Sequence, residues 1–159
     1  MNRTPKSVWH SPVHFAAFGF GSGAAPFAPG TFGTLAAIPL YWCLSWLSLP
    51  AYSVILLITF FVGIWFCGRT SCDIGVHDHS GIVWDEFVGY WITLWGVPFS
   101  WKAVVLGFVF FRIFDVMKPW PIRTIDRRVT GGFGIMLDDV MAGIFALCLT
   151  HLVLWMFWS

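Results

Sequence analysis

The chain has 159 residues, of which 58% are apolar, 19% aromatic and only 11% charged, with a formal net charge of +1 and a mean hydropathy of +0.77. A soluble domain carries roughly 25% charged residues, so a chain with 11 Trp and 17 Phe has too little polar surface to cover itself in water and belongs in a bilayer. High apolarity, four scattered Cys and near-neutral charge together exclude intrinsic disorder, a disulfide scaffold and a nucleic-acid binder.

What remains is an all-α, multi-pass membrane helical bundle of about four to five hydrophobic helices, forming a single domain over residues 1–159. Residues 1–12 have neither an apolar core nor a small-residue cleavage site and do not read as a secretory signal peptide. Residues 32–49 and 51–68 are uncharged runs of 18 residues each, close to the ~20 that cross a hydrocarbon core. Leu49-Pro50 reads as the tight turn of a helical hairpin, because Pro50 cannot continue the first helix and suits the opening of the second. The block 87–111, interrupted by Gly96, Pro98 and Lys102, forms either one long span or two short ones. Two short arms, 82–97 and 101–116, bring the polar segments 69–86 and 112–139 to the same face; being short for full spans, they are expected to tilt or to be partly buried by neighbours, and a four-span arrangement is the alternative. The last block, 135–158, carries Asp138 and Asp139 at its start and is otherwise apolar.

With five segments, Arg3, Lys6, Arg69, Arg112, Lys118, Arg123, Arg127 and Arg128 fall on one side and Lys102 on the other. The positive-inside rule makes the first side cytoplasmic and places the C-terminus, with Trp155 and Trp158 suited to an aromatic belt, on the far side. The remaining tryptophans read mostly as lipid-facing or belt residues. Cys43, Cys67, Cys72 and Cys148 have no Cys-x-x-Cys spacing, and most read as buried thiols.

All eight acidic residues lie between positions 73 and 139. Asp85-Glu86 and Asp138-Asp139 are adjacent pairs at helix starts, and carboxylates at a membrane boundary are costly unless neutralised. Mg²⁺ does this well, since it takes oxygen ligands and is held by one or two carboxylates plus substrate phosphate. The competing reading is that the pairs merely complement helix dipoles. Two pairs plus Asp115 favour the metal. Arg112, Asp115 and Lys118 share a helix face at i, i+3 spacing, and Pro119 and Pro121 end that helix. Beside a metal, Arg112 and Lys118 make a phosphate clamp; otherwise they form a salt-bridged ladder. Arg123, Arg127 and Arg128 extend the positive field toward anionic headgroups.

Glycine turns precede two helices: Gly131-Gly132-Phe-Gly134 and Pro29-Gly30-Thr31-Phe-Gly33-Thr34. Such turns expose backbone N–H groups that cradle phosphate, though a glycine turn is more often only a turn. Thr31 and Thr34 are N-cap candidates. His77-Asp78-His79, beside Asp73, offers either transition-metal ligands or an acid/base group, though His-x-His close to a loop is usually unremarkable. No Cys has Arg six positions on, and neither Asp-x-Asp nor Ser-Gly-His occurs, which leaves metal-assisted attack by water as the simplest hydrolytic mechanism.

Four motifs in order, Pro26-Phe-Ala-Pro-Gly30-Thr31-Phe-Gly33-Thr34-Leu35, Gly75-Val-His-Asp78 through Asp85-Glu86-Phe-Val-Gly89, Phe111-Arg112 through Arg123, and Gly131 through Asp139, resemble the phosphatidylglycerophosphatase A family. The resemblance covers roughly residues 14–150. It implies a Mg²⁺-dependent lipid phosphatase of the bacterial inner membrane that converts phosphatidylglycerophosphate to phosphatidylglycerol and inorganic phosphate, with its site facing the cytoplasm. The expected metal-binding and catalytic residues are Asp85, Glu86, Asp115, Asp138 and Asp139. Arg112, Lys118, Gly30, Thr31, Gly131 and Gly132 are the expected substrate contacts. Phe27 departs from the pattern, for the family often has a basic residue there. Phospholipid is the expected partner and nucleic acid is not. A small ion transporter and a non-catalytic assembly subunit are the alternatives, and a transporter should place its acids at midplane in broken helices.

Overall fold

A computed structural model describes residues 4–158, with side chains to 157, so the expectation for Arg3 and the side chain of Trp158 lie outside the described residues. The described chain is all-helical: α1 (Pro12–Ala17), α2 (Pro29–Leu44), α3 (Leu49–Ile74), α4 (Trp84–Thr93), α5 (Trp101–Met117), α6 (Ile122–Arg128) and α7 (Gly131–Trp158), with short 3₁₀ turns at Lys6–Trp9 and Gly19–Ala24.

The five expected segments correspond to α2, α3, α4, α5 and α7, with shifted ends. The first hairpin turns at residues 45–48 instead of at Leu49-Pro50. Ser45 bonds back to the Trp42 carbonyl at 2.7 Å and closes α2, while Leu49 and Pro50 open α3. α3 runs past Gly68 to Ile74, because the outer face of its last turns carries the Arg69–Asp73 pair at 2.9 Å and Gly75, at φ 73°, supplies the left-handed stop. The N-cap of α2 is Ala28, at φ 44°, and not a threonine: Pro29 occupies the first turn, and Thr34 Oγ1 donates to the Gly30 carbonyl at 2.9 Å.

α3 and α7 are long and apolar enough to cross a membrane, and only 11% and 22% of their most hydrophobic windows are buried, so both turn apolar faces outward. α4 is different. Its ten residues rise only ~15 Å, too little to span, and every residue from 81 to 91 is buried. It is the core of the bundle, packed most extensively on α7 and also on α2 and α3. Its aromatic side chains supply both core volume and interhelical hydrogen bonds. Trp91 Nε1 donates to the Ala37 carbonyl at 3.1 Å, Tyr90 Oη to Val104 at 3.0 Å and Trp84 Nε1 to Thr59 at 3.1 Å, while Tyr52 Oη of α3 donates to Trp91 at 2.8 Å. The tryptophans therefore divide: Trp84 and Trp91 are core, while Trp46, Trp65, Trp101, Trp120 and Trp155 are exposed. Of the cysteines, Cys67 is buried and the other three are exposed, contrary to the expectation of mostly buried thiols.

Close approach of α4 to α7 depends on Gly143. A Cβ there would run into the Gly89 carbonyl and backbone, so no larger residue lets the two helices touch. The packing brings the start of α2, the end of α3, the start of α4, the end of α5 and the start of α7 to one end of the bundle.

Candidate active site

Asp85 and Glu86 occupy the first turn of α4, where the helix dipole favours negative charge. Asp138 and Asp139 lie two turns into α7, and Arg112 and Asp115 occupy the last two turns of α5. Lys118 caps α5 in the left-handed conformation, at φ 42°, instead of continuing its face. These residues line one cavity of about 250 Å³ together with Gly30, Asp78 and Ser80. The expected carboxylates thus converge from three helices.

Asp85, Glu86 and Asp139 each offer an oxygen within 4.8 Å of the others, and all three residues are buried. Arg112 Nη1 pairs with Asp115 Oδ2 at 2.6 Å, lies 3.8 Å from Glu86 Oε1 and donates to Thr34 Oγ1 at 3.5 Å. Lys118 Nζ pairs at 2.6 Å with both Asp138 Oδ2 and Asp126 Oδ1. Burial alone would pull the Lys118 ammonium down, but these two carboxylates outweigh it and hold its pKa well above the ordinary lysine value.

Two features fit a hard cation. Asp85 Oδ1, Glu86 Oε2, Asp138 Oδ1 and Asp139 Oδ2 are buried with no hydrogen-bond partner among the described residues, and such atoms are costly to leave unpaired. The lining also holds six carboxyl groups against the two cations Arg112 and Lys118. An all-oxygen donor set with excess negative charge suits Mg²⁺ better than a thiophilic metal. Gly30 marks where the backbone comes closest, since a Cβ there would strike Glu86 Oε1 and lie 3.1 Å from Arg112.

Three expected contacts do not line this cavity. Thr31 lies outside it, half-buried. Gly131, at φ 76°, donates its N–H to His77 Nε2 at 3.0 Å, and Gly132 packs against the Ile64 carbonyl and Gly68 of α3. Their glycines serve helix entry and helix contact, because any side chain at 132 would meet α3 backbone. His79 Nδ1 accepts from Gly81 N–H at 3.0 Å, so both imidazoles of the His77-Asp78-His79 triplet are engaged by backbone. Phe27, the departure from the motif, is exposed and packs edge-on against Phe32. Asp78, Ser80 and Asp126 join the site or its ion pairs without having been expected there. Asp78 was legible as a neighbour of two histidines and as part of the second motif, and Asp126 only as one charge among three arginines.

Fold and site together define a helical protein with two span-length apolar helices and, at one end, a carboxylate-lined cavity that also holds the two cations Arg112 and Lys118. Residues 15–154 match the phosphatidylglycerophosphatase A family model. The chain is 51% identical over 135 residues to phosphatidylglycerophosphatase A of Escherichia coli K12, covering 84% of this chain and 78% of that protein. It is 46% identical over 138 residues to phosphatidylglycerophosphatase A of Haemophilus influenzae Rd, covering 86% and 85%. No solved structure matches. The chain belongs to the phosphatidylglycerophosphatase A family, and it is a phosphatase. The described helices that carry these acids are unbroken, so the broken-helix arrangement expected of a transporter finds no support.

Proposed function

We propose that this chain hydrolyses the terminal phosphomonoester of phosphatidylglycerophosphate, giving phosphatidylglycerol and inorganic phosphate, as a multi-pass protein of the bacterial inner membrane with its cavity at the cytoplasmic face. The observation that carries the mechanism is the convergence of Asp85, Glu86 and Asp139 beside two ion-paired cations.

Asp85, Glu86 and Asp139 would hold Mg²⁺, with Asp115 and Asp138 completing the acidic wall. When bound, the cation neutralises the crowded carboxylates, polarises the phosphoryl group and makes water a better nucleophile. Arg112 binds phosphoryl oxygens, its fork aimed by Asp115 and Thr34. Lys118 binds them as a point charge, aimed by Asp126 and Asp138. Both cations stand ready for the charge that spreads over the phosphoryl oxygens as water attacks in line. The bond to the glycerol oxygen breaks, that oxygen leaves as the hydroxyl of phosphatidylglycerol after taking up a proton, and the linking phosphodiester stays intact.

The outward apolar faces of α3 and α7 support the membrane setting. Charge supports the orientation: Lys6, Arg69, Arg112, Lys118, Arg123, Arg127 and Arg128 lie at or near the cavity end, while Lys102 begins α5 at the other.

The test is phosphate release from phosphatidylglycerophosphate by the purified full chain. EDTA should abolish it and added Mg²⁺ restore it. Asp85→Asn and Asp138→Asn should each lose at least about 10²-fold in kcat, with helical content and membrane extraction unchanged. Full activity in chelator, or in either variant, overturns this assignment of the site.

A further inference from the structure

Three cavities along α5, α6 and α7 share walls. Lys118, which lines the acidic cavity, also lines a second one of about 520 Å³ with Trp120, Arg123, Arg127 and Arg128. Pro119 and Trp120 of that cavity in turn line a third, of about 450 Å³, formed by Phe114 of α5 and Phe145, Cys148, Leu149 and Leu152 of α7. The third runs along α7 away from the cavity end, into the stretch long and apolar enough to cross a membrane.

The chemistry changes in step along this path. The first cavity is acidic with two cations, the second has four cations and no acid in its lining, and the third has no charged residue. Arg123, Arg127 and Arg128 are exposed and make no ion pair among the described residues, so three unmatched guanidinium groups face the middle cavity. Their exposure is not explained by the fold, because α6 is anchored from its other side by buried Ile122 and by Asp126. Trp120 is 82% exposed at the junction, as suits an interfacial ring that is apolar on one side and wet on the other.

We infer that the three cavities are one track for a lipid with two phosphates in series. The phosphomonoester sits at Lys118 in the acidic cavity, the phosphodiester lies over Arg123, Arg127 and Arg128, and one acyl chain lies in the groove between Phe114 and Leu152. The order monoester, diester, chain matches the order acidic site with cations, basic cavity, apolar groove. Charge complementarity commits the middle cavity to an anion, and continuity with the apolar groove commits that anion to a lipid. A lipid with a single phosphate cannot fill both polar cavities at once, so the arginine cavity selects the two-phosphate headgroup. The inference rests on the lipid phosphatase reading and names the residues that set its substrate.

The experiment uses the full chain in mixed micelles. Arg127→Gln/Arg128→Gln should raise KM for phosphatidylglycerophosphate about tenfold and leave kcat within about twofold. Phosphatidylglycerol keeps the diester and lacks the monoester, and its competitive inhibition should weaken by a similar factor. Inhibition by inorganic phosphate should stay as in the wild type, which also shows that the variant is folded. Leu149→Trp, which fills the apolar groove, should raise KM for dioleoyl substrate and not for dihexanoyl substrate. The track is overturned if the wild type is not inhibited by phosphatidylglycerol or if the arginine variant weakens both inhibitors alike. It is equally overturned if kcat falls at constant KM or if Leu149→Trp acts equally on both chain lengths. A wild type that releases no phosphate from the lipid overturns the phosphatase reading itself, whereas an active wild type indifferent to these substitutions overturns the track alone.

Discussion

Lys118 shows how a single backbone choice shapes the site. At φ 42° it ends α5, and the same left-handed turn swings its ammonium between Asp126 and Asp138. Those carboxylates hold it charged throughout the working pH range, so it acts as a fixed cation and not as a proton donor. His79 behaves in the opposite way. Burial pushes its pKa below the ordinary value of 6.5, and its Nδ1 accepts from Gly81 N–H, a bond that only the unprotonated nitrogen can make. The unfolded chain therefore binds more protons than the folded one near and below pH 6.5, and stability must rise with pH through that window. Thermal unfolding of the full chain should show a lower Tm as pH drops from 7 to 5.5. His79→Gln should flatten that slope; an unchanged slope in the variant would remove His79 as its source.

Among the elements, α4 explains why hydropathy alone misleads. Residues 82–97 read as a short span because they are apolar, yet ten helical residues surrounded on all sides are apolar for the reason any core is. Burying α4 also carries Asp85 and Glu86 inward, where acids on a lipid-facing helix would have stayed at the headgroups. Its contact with α7 rests on Gly143 against Gly89, so Gly143→Val should cost about 1–3 kcal/mol through overpacking and lower the Tm accordingly. Because the two acid pairs ride on these two helices, the surviving folded fraction should also lose activity. A Gly143→Val protein with wild-type Tm and kcat would show that the helices do not need this contact.

At the scale of the whole molecule, every described acidic residue falls at the end of the bundle that holds the cavity. The topology follows as a prediction. In a chain whose other cysteines are replaced by Ala, exposed Cys72 at the end of α3 should react with an impermeant maleimide in inside-out vesicles only. Trp101→Cys, at the start of α5, should react in right-side-out vesicles only. Labelling of both positions from the same side would refute the five-segment bundle and its orientation.

The linear chain was sufficient to place five of the helices and the side on which charge accumulates, because apolar runs, Pro, Gly and basic residues act locally and are read locally. It was also sufficient to nominate Asp85, Glu86, Arg112, Asp115, Lys118, Asp138 and Asp139, since acids and cations are conspicuous in a chain that is only 11% charged. Thr31, Gly131 and Gly132 do not line the cavity, and a glycine turn has the same local signature whether it faces a phosphate or a neighbouring helix. Only the tertiary structure decided that α4 is core, that Asp78 and Ser80 line the cavity and that Asp126 shares Lys118. Those outcomes depend on which side chains meet across helices tens of residues apart, and that meeting is set by packing, which no local pattern encodes.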